Sequence, residues 1–212
     1  MDGQNEYKLY YFSLHGRGDP ARALMTHAKV PFENIEFGFD KWPEHKPNMP
    51  NQQVPCLELK DGTKMGQSIA LTRYLGAKHG YYPSADALAA FHIDQLIDRY
   101  QDVGTTIYKP QFMKEQADKD AAIKTLAEET IPKFLDEIND KCKDGWLVGD
   151  KISLADFFVG GLYTNYLANE HITYGKDEWK SLLDKYPNFK GYGERYAAEN
   201  AAYLASRGKH AI

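Results

Sequence analysis

Between Lys46 and Leu75 the chain gathers the residue types needed to hold a small peptide anion. Gln67-Ser68 stands directly before the helical run Ile69-Ala70-Leu71-Thr72-Arg73-Tyr74-Leu75. A serine there is expected to cap the helix with its hydroxyl, and the unpaired amides of the first turn attract a carboxylate. Upstream, Gln53-Val54-Pro55 leads into a strand, where proline is unusual because it removes a ladder donor. In between, apolar Leu57, Leu59, Thr63 and Met65 alternate with Glu58, Lys60 and Lys64. Asp61-Gly62 then predicts a hairpin with a two-residue turn of positive dihedrals. Lys46 adds a cation ahead of these. Together they describe an anion pocket beside an open strand edge, on the scale of a short peptide.

The elements that must position this pocket alternate in the N-terminal part. Tyr7 to Phe12 reads as a strand, Arg22 to Lys29 as a helix entered through Pro20, and Asn34 to Phe39 as a second strand. A loop rich in Pro and Asn, Trp42 to Gln53, precedes the hairpin and its helix. Strand-helix-strand followed by hairpin-helix resembles the thioredoxin-like plan, in which a cis proline stands where Pro55 falls. Gly80-Tyr81-Tyr82-Pro83-Ser84 reads as a linker, and beyond it strand patterns vanish. Helical patterns cover Ala85 to Tyr108, Lys119 to Lys143 with Pro132 as a kink, Leu154 to Ala168, Trp179 to Leu183 and Phe189 to Glu199. The expected fold is an α/β N-terminal thioredoxin-like domain, residues 1–82, plus an all-α C-terminal helical domain, residues 83–212. Ser153-Leu154-Ala155-Asp156 reads as a capping box, with Ile152 placed to staple onto Phe157. That signal is structural, so Asp156 is not read as catalytic.

Composition narrows the function classes. At 212 residues, 42% apolar and 13% aromatic, the chain suffices for a small domain and a larger one. A net charge of −4 argues against nucleic acid or an acidic membrane as partner. No apolar run approaches the roughly 18 residues that span a bilayer. The polar, acidic start from Met1 to Glu6 is unlike a secretory leader, and only two cysteines occur, Cys56 and Cys142. Both features favour a reducing, cytoplasmic setting. With no C-x-x-C and no Cys/His cluster, a structural zinc is not expected.

Gln53-Val54-Pro55, Gln67-Ser68 and Arg73-Tyr74-Leu75, preceded by Tyr11 and Arg17, resemble the glutathione-binding half of cytosolic glutathione transferases in order and spacing. The pattern is most similar to the sigma class, which includes the glutathione-dependent prostaglandin D synthases, and it runs from about Tyr7 to about Leu204. The resemblance implies that Tyr11 is catalytic. Its hydroxyl would donate to the glutathione sulfur and so favour the thiolate over a thiol whose pKa is roughly 8.5. It also implies a set of glutathione contacts. Gln67 and Ser68 grip the γ-glutamyl carboxylate, and the backbone of Val54, ahead of Pro55, pairs with the cysteinyl amide like an added strand. Trp42, Lys46 and Gln53 hold the glycyl carboxylate, while Arg17 strengthens the field around the thiolate. Asp102 would reach across a homodimer to the γ-glutamyl ammonium of the partner's site. Glutathione is then a co-substrate, and no permanent cofactor or metal is implied.

Neighbouring residues leave alternatives open. Tyr10 points to the opposite strand face from Tyr11, and Ser13 is a second candidate because some relatives use a serine near this point. Ser13-Leu14-His15-Gly16-Arg17 lacks the cysteines of a dithiol oxidoreductase, and His15, matching no family role, reads as a surface residue. Asp94, Asp98 and Asp102 stack like charges along one helix face, which calls for a nearby cation; Arg99 is spaced to meet Asp102. Gln101 stands where vertebrate-type prostaglandin D synthases carry an acid, which leaves divalent-ion activation there without support. Tyr108, Phe112, Tyr203 and Leu204 either line an electrophile pocket or belong to the core. The expected protein is a homodimeric transferase that joins glutathione to small hydrophobic electrophiles. The alternatives are a glutathione-dependent prostaglandin D isomerase and a non-enzymatic ligand carrier or crystallin-like protein.

Overall fold

The computed structural model describes residues 5–212 and divides the chain into two compact units. The first runs to Tyr82 and takes in the later segment Asn200–His210; the second is Pro83–Glu199 with Ala211–Ile212. In the first unit the elements are β1 (Tyr7–Phe12), α1 (Asp19–His27), β2 (Phe32–Phe37), a short α2 (Trp42–His45), β3 (Cys56–Leu59), β4 (Lys64–Met65) and α3 (Ser68–His79). The four strands form one sheet in the order β2-β1-β3-β4. β1 runs parallel to β2, with Tyr11 opposite Glu36, and antiparallel to β3, with Leu9 opposite Leu57. Tyr7, Leu9 and Tyr11 face the core, and Lys8, Tyr10 and Phe12 alternate away from it. Helices α1 and α3 pack together and bury Leu24, Met25, Leu71 and Leu75 completely.

Three local expectations shift. Helix α1 begins at Asp19, because Pro20 near a helix start lacks only a donor that the first turn does not use. Strand β2 begins at Phe32, where parallel pairing with Tyr7 takes hold; its polar, exposed alternation hides that start from hydropathy. The β3–β4 turn is longer than the two residues predicted. Leu59 and Thr63 close it (Leu59 N–H to Thr63 O, 2.9 Å), and only Gly62 is left-handed, at φ 84°. The Thr63 amide donates to the Asp61 carboxylate at 2.9 Å, so Asp61 orders the loop by its side chain.

The second unit is helical: α4 (Ala87–Gly104), α5 (Gln116–Thr125), α6 (Ile131–Ile138), α7 (Leu154–Leu162), α8 (Lys176–Lys185) and α9 (Pro187–Glu199). A final α10 (Ala201–Ser206) belongs to the first unit and packs on α1. Asp86 caps α4 by accepting from the amides of Leu88 and Ala89 at 3.1 and 3.0 Å. The break expected at Pro132 is real: a widened turn, Leu126–Thr130, joins α5 to α6 directly before it. Such a turn accommodates a residue with no amide and a bulky ring. Helix α7 is buried throughout and packs against α4 and α9. It approaches α9 through paired notches: a methyl on Gly160 would stand 2.4 Å from the Tyr196 ring, and one on Gly193 2.2 Å from Tyr163.

At the head of α7, Asp156 is fully buried and accepts from the Ser153 amide at 2.7 Å, the Ser153 hydroxyl at 2.8 Å, the Leu147 amide at 3.1 Å and the Tyr192 hydroxyl at 2.9 Å. Burial raises its pKa against the pull of these donors. This is the expected capping box, extended into a knot that ties α7 to a loop and to α9.

Candidate active site

An open cleft of about 290 Å³ lies in the first unit. Its walls bring together Arg17, Trp42, Gln53, Val54, Pro55, Gln67 and Ser68, all expected from the sequence, with Phe12 and Gln52, which were not. Residue Gln53 is extended, at φ −136° and ψ 156°, and the Val54–Pro55 peptide is cis. Sheet pairing between β1 and β3 stops at Tyr10 opposite Cys56. The stretch from Gln53 to Pro55 therefore lies outside that ladder, as β-type pairing with an extended peptide requires. Trp42 is seated by aromatic packing, its ring parallel to Phe37 at 6.2 Å and edge-on to Phe12 at 5.5 Å.

Helix α3 opens onto this cleft differently from the expectation. Ser68 is its first helical residue and not its cap; the flanking position is held by Gln67, and no side chain caps the helix. Gln67 sits at φ 66° and ψ 102°, a conformation L side chains rarely adopt. Gln52, also on the cleft wall, has φ 54°, and its neighbour Asn51 φ 51°. Backbone strain of this kind gathers at functional sites. It is set by tertiary packing, which explains why Gln52 escaped sequence reasoning. Phe12 escaped because strand alternation puts it on the face opposite Tyr11, the expected activator.

Tyr11 lies at the end of β1, 6% exposed, and is not itself part of the cleft wall. Its hydroxyl oxygen accepts a hydrogen bond from the Arg17 amide at 2.9 Å. The loop closes over it through glycines: a Cβ on Gly16 would approach the Tyr11 oxygen to 2.8 Å, and one on Gly18 the ring to 2.7 Å. Gly16 also needs its positive φ of 41°. Tyr10 faces the other way and donates to Glu58 at 3.0 Å; burial first, and then Glu58, pushes its pKa up to about 12. Ser13 is exposed at the loop start, its amide on Phe37 O at 3.0 Å. Burial pushes the thiol of Cys56, the first residue of inner strand β3, up to about 11. At neutral pH it is protonated.

Other candidates fall elsewhere. Lys46 is exposed in a short turn after α2 and does not line the cleft. Asp102 is in the second unit on α4, where Arg99 pairs with it and also donates through Nε to Glu137 of α6 at 2.9 Å. The cation that the acidic face called for is thus on the same helix. His15, expected at the surface, is 3% exposed. It stacks edge-on against His210 at 5.2 Å and lies 3.8 Å from Asp19. The C-terminal segment covers it, and burial outweighs Asp19 to push its pKa down to about 4, so the ring is neutral at pH 7. Tyr203 is also core: it is 5% exposed and its hydroxyl donates to Asp19. Tyr108 and Phe112 meet edge-on at 6.3 Å, and Phe112 stays exposed.

Comparison with known proteins agrees over both units. Residues 6–77 match the family model described as Glutathione S-transferase, N-terminal domain, and residues 101–207 the one described as Glutathione S-transferase, C-terminal domain. The chain is 33% identical to a Glutathione S-transferase of Anopheles gambiae, covering 95% of this chain and 97% of that protein. It is 32% identical to the Hematopoietic prostaglandin D synthase of Gallus gallus, covering 97% and 98%. Among solved structures, the Fasciola hepatica sigma class GST superposes with a TM-score of 0.83 at 26% identity, covering 100% of both chains.

Proposed function

The chain belongs to the glutathione S-transferase family, and from that premise we propose that Tyr11 converts cleft-bound glutathione to the thiolate that attacks small hydrophobic electrophiles. The observation that carries this reading is the bond from the Arg17 amide to the Tyr11 oxygen, at the strand end beside cleft residues Phe12 and Arg17. A hydroxyl that accepts a hydrogen bond becomes a stronger donor. A donor to sulfur favours the thiolate, as a nucleophile at neutral pH needs.

In this reading the uncapped start of α3 and Gln67-Ser68 take the γ-glutamyl carboxylate, and the Val54 backbone takes the cysteinyl amide. Trp42, Gln53 and Lys46 take the glycyl carboxylate. Glutathione is a co-substrate, without a permanent cofactor. The protein works in the cytoplasm as a homodimer, in which Asp102 leaves Arg99 for the γ-glutamyl ammonium of the partner's site; sedimentation at one chain's mass would exclude this last arrangement. No helix among the described residues is long and apolar enough to cross a membrane.

Ultraviolet thiolate absorbance of bound glutathione, followed against pH, tests the mechanism. Wild type should show a thiol pKa well below the free value of roughly 8.5, and Tyr11→Phe should restore it while lowering kcat about 100-fold. An unchanged thiol pKa in Tyr11→Phe would remove Tyr11 as activator. The Gallus gallus relative favours a second reading, isomerisation of a prostaglandin endoperoxide. Product analysis with that substrate separates the two.

A further inference from the structure

Arg22 is a buried cation that the reading above does not use. It lies on α1, 2% exposed, and all three guanidinium nitrogens are engaged. Nη1 donates to Leu14 O at 2.8 Å and Nη2 to Phe12 O at 3.3 Å, so one fork grips both carbonyls flanking Ser13. Nε donates to Asn34 Oδ1 at 3.0 Å, and Nη2 stands 3.0 Å from Glu36 Oε1. Asn34 in turn donates to Glu36 at 3.0 Å, which closes a brace onto β2. Glu36 is the residue paired with Tyr11 across the two parallel strands. The guanidinium carbon is 5.4 Å from the centre of the Tyr11 ring.

The loop that Arg22 grips joins Tyr11 to the amide that holds its hydroxyl. Phe12 follows Tyr11 directly, Leu14 lies midway, and Arg17 supplies the bond to the phenol oxygen. Only a planar fork reaches two carbonyls of the loop and an amide and a carboxylate of β2 at once; a lysine ammonium is a compact point charge that cannot span them.

We propose that Arg22 is the positioning residue for Tyr11, setting the hydroxyl through the Phe12 and Leu14 carbonyls. The proposal rests on Tyr11 being the activator. Arg22 touches no substrate, so its removal should act on the thiolate and not on the grip of glutathione.

The test compares wild type, Tyr11→Phe, Arg22→Lys, the double variant and Glu36→Gln by bound-thiol pKa, kcat and KM for glutathione. Arg22→Lys should lower kcat about tenfold or more and raise the bound-thiol pKa toward that of Tyr11→Phe, with KM for glutathione within about twofold of wild type. In the Tyr11→Phe background the same change should move the thiol pKa no further, since both act through one hydroxyl. Glu36→Gln leaves Arg22 in place but weakens its brace, and should shift the thiol pKa the same way by less. This variant decides the matter if Arg22→Lys does not fold. A lower melting temperature with a wild-type thiol pKa in Arg22→Lys, or in Glu36→Gln where that variant decides, makes the brace purely structural and overturns the proposal. If Tyr11→Phe itself leaves the thiol pKa unchanged, the activator reading fails, and the positioning role falls with it on a separate readout.

Discussion

The heads of α3 and α7 are both helix starts beside a serine, and they treat the orphan amides of the first turn in opposite ways. At α7 the chain closes the site itself: Ser153 and Asp156 bond each other, and Asp156 also takes Leu147 and Tyr192 in a fully buried knot. At α3 no side chain caps the helix, Ser68 is displaced to the first helical position, and Gln67 is held at φ 66° on the wall of a cleft. A satisfied helix start stabilises the fold, whereas one left without its own cap keeps its amides and positive dipole end for a ligand anion. The sequence separates them in part, since Ser153 has an acid three residues on, at Asp156, where Ser68 has Leu71.

The largest effect that would break this contrast is on the knot. Asp156→Ala strands two amides and two hydroxyls in the core, and urea unfolding should show a loss of about 3–5 kcal/mol. The folded fraction should still bind glutathione normally. A loss below about 1 kcal/mol would mean that the knot is not the anchor described.

Acid probes the cleft-bearing unit next. His15 is held neutral, its pKa lowered from 6.5 to about 4, by burial, which outweighs the opposing pull of Asp19 and is reinforced by Arg207, His210 and Arg22. The unfolded chain binds a proton over this window and the folded one does not. The contribution is therefore fully present above pH 6.5 and is lost as pH falls toward 4. At about 1.4 kcal/mol per pH unit it is worth about 3 kcal/mol. Denaturant midpoints measured across that range should fall steeply in wild type and more gently in His15→Gln. Equal slopes would show that carboxylates elsewhere carry the acid limb.

The smallest effect is the most direct comparison. Ser153→Ala should cost about 1–2 kcal/mol of stability and leave KM for glutathione unchanged. Ser68→Ala, which removes no cap, should shift stability by less than about 0.5 kcal/mol and raise KM for glutathione several-fold. If the stability costs came out equal, Ser68 would be capping α3 in solution.

Much of the fold was legible because its signals are local. Period-two alternation marks Tyr7 to Phe12, the helical stripe marks α4 to α7, Pro132 marks the break between α5 and α6, and Ser153 with Asp156 marks a helix start. Most of the candidate cleft was legible too, through the order of Arg17, Trp42, Gln53-Val54-Pro55 and Gln67-Ser68. What escaped depends on segments distant in sequence. His15 was read as exposed because nothing near it shows that Asn200–His210 returns to cover it, and Tyr203 becomes core by the same return. Gln52 reaches the cleft wall only through two successive residues of positive φ.

The residues by themselves determined the alternation of elements, the break between a sheet-bearing part and a helical part, and the chemical types available around a peptide-sized anion. Patterning and turn chemistry act over a few residues, so they can be read in order along the chain. Only the tertiary structure decided that Ser68 would leave the head of α3 uncapped, which polar groups would be buried, and that Arg22 would brace the loop around Tyr11. Those outcomes depend on desolvation and on partners many residues away, and a linear pattern carries neither.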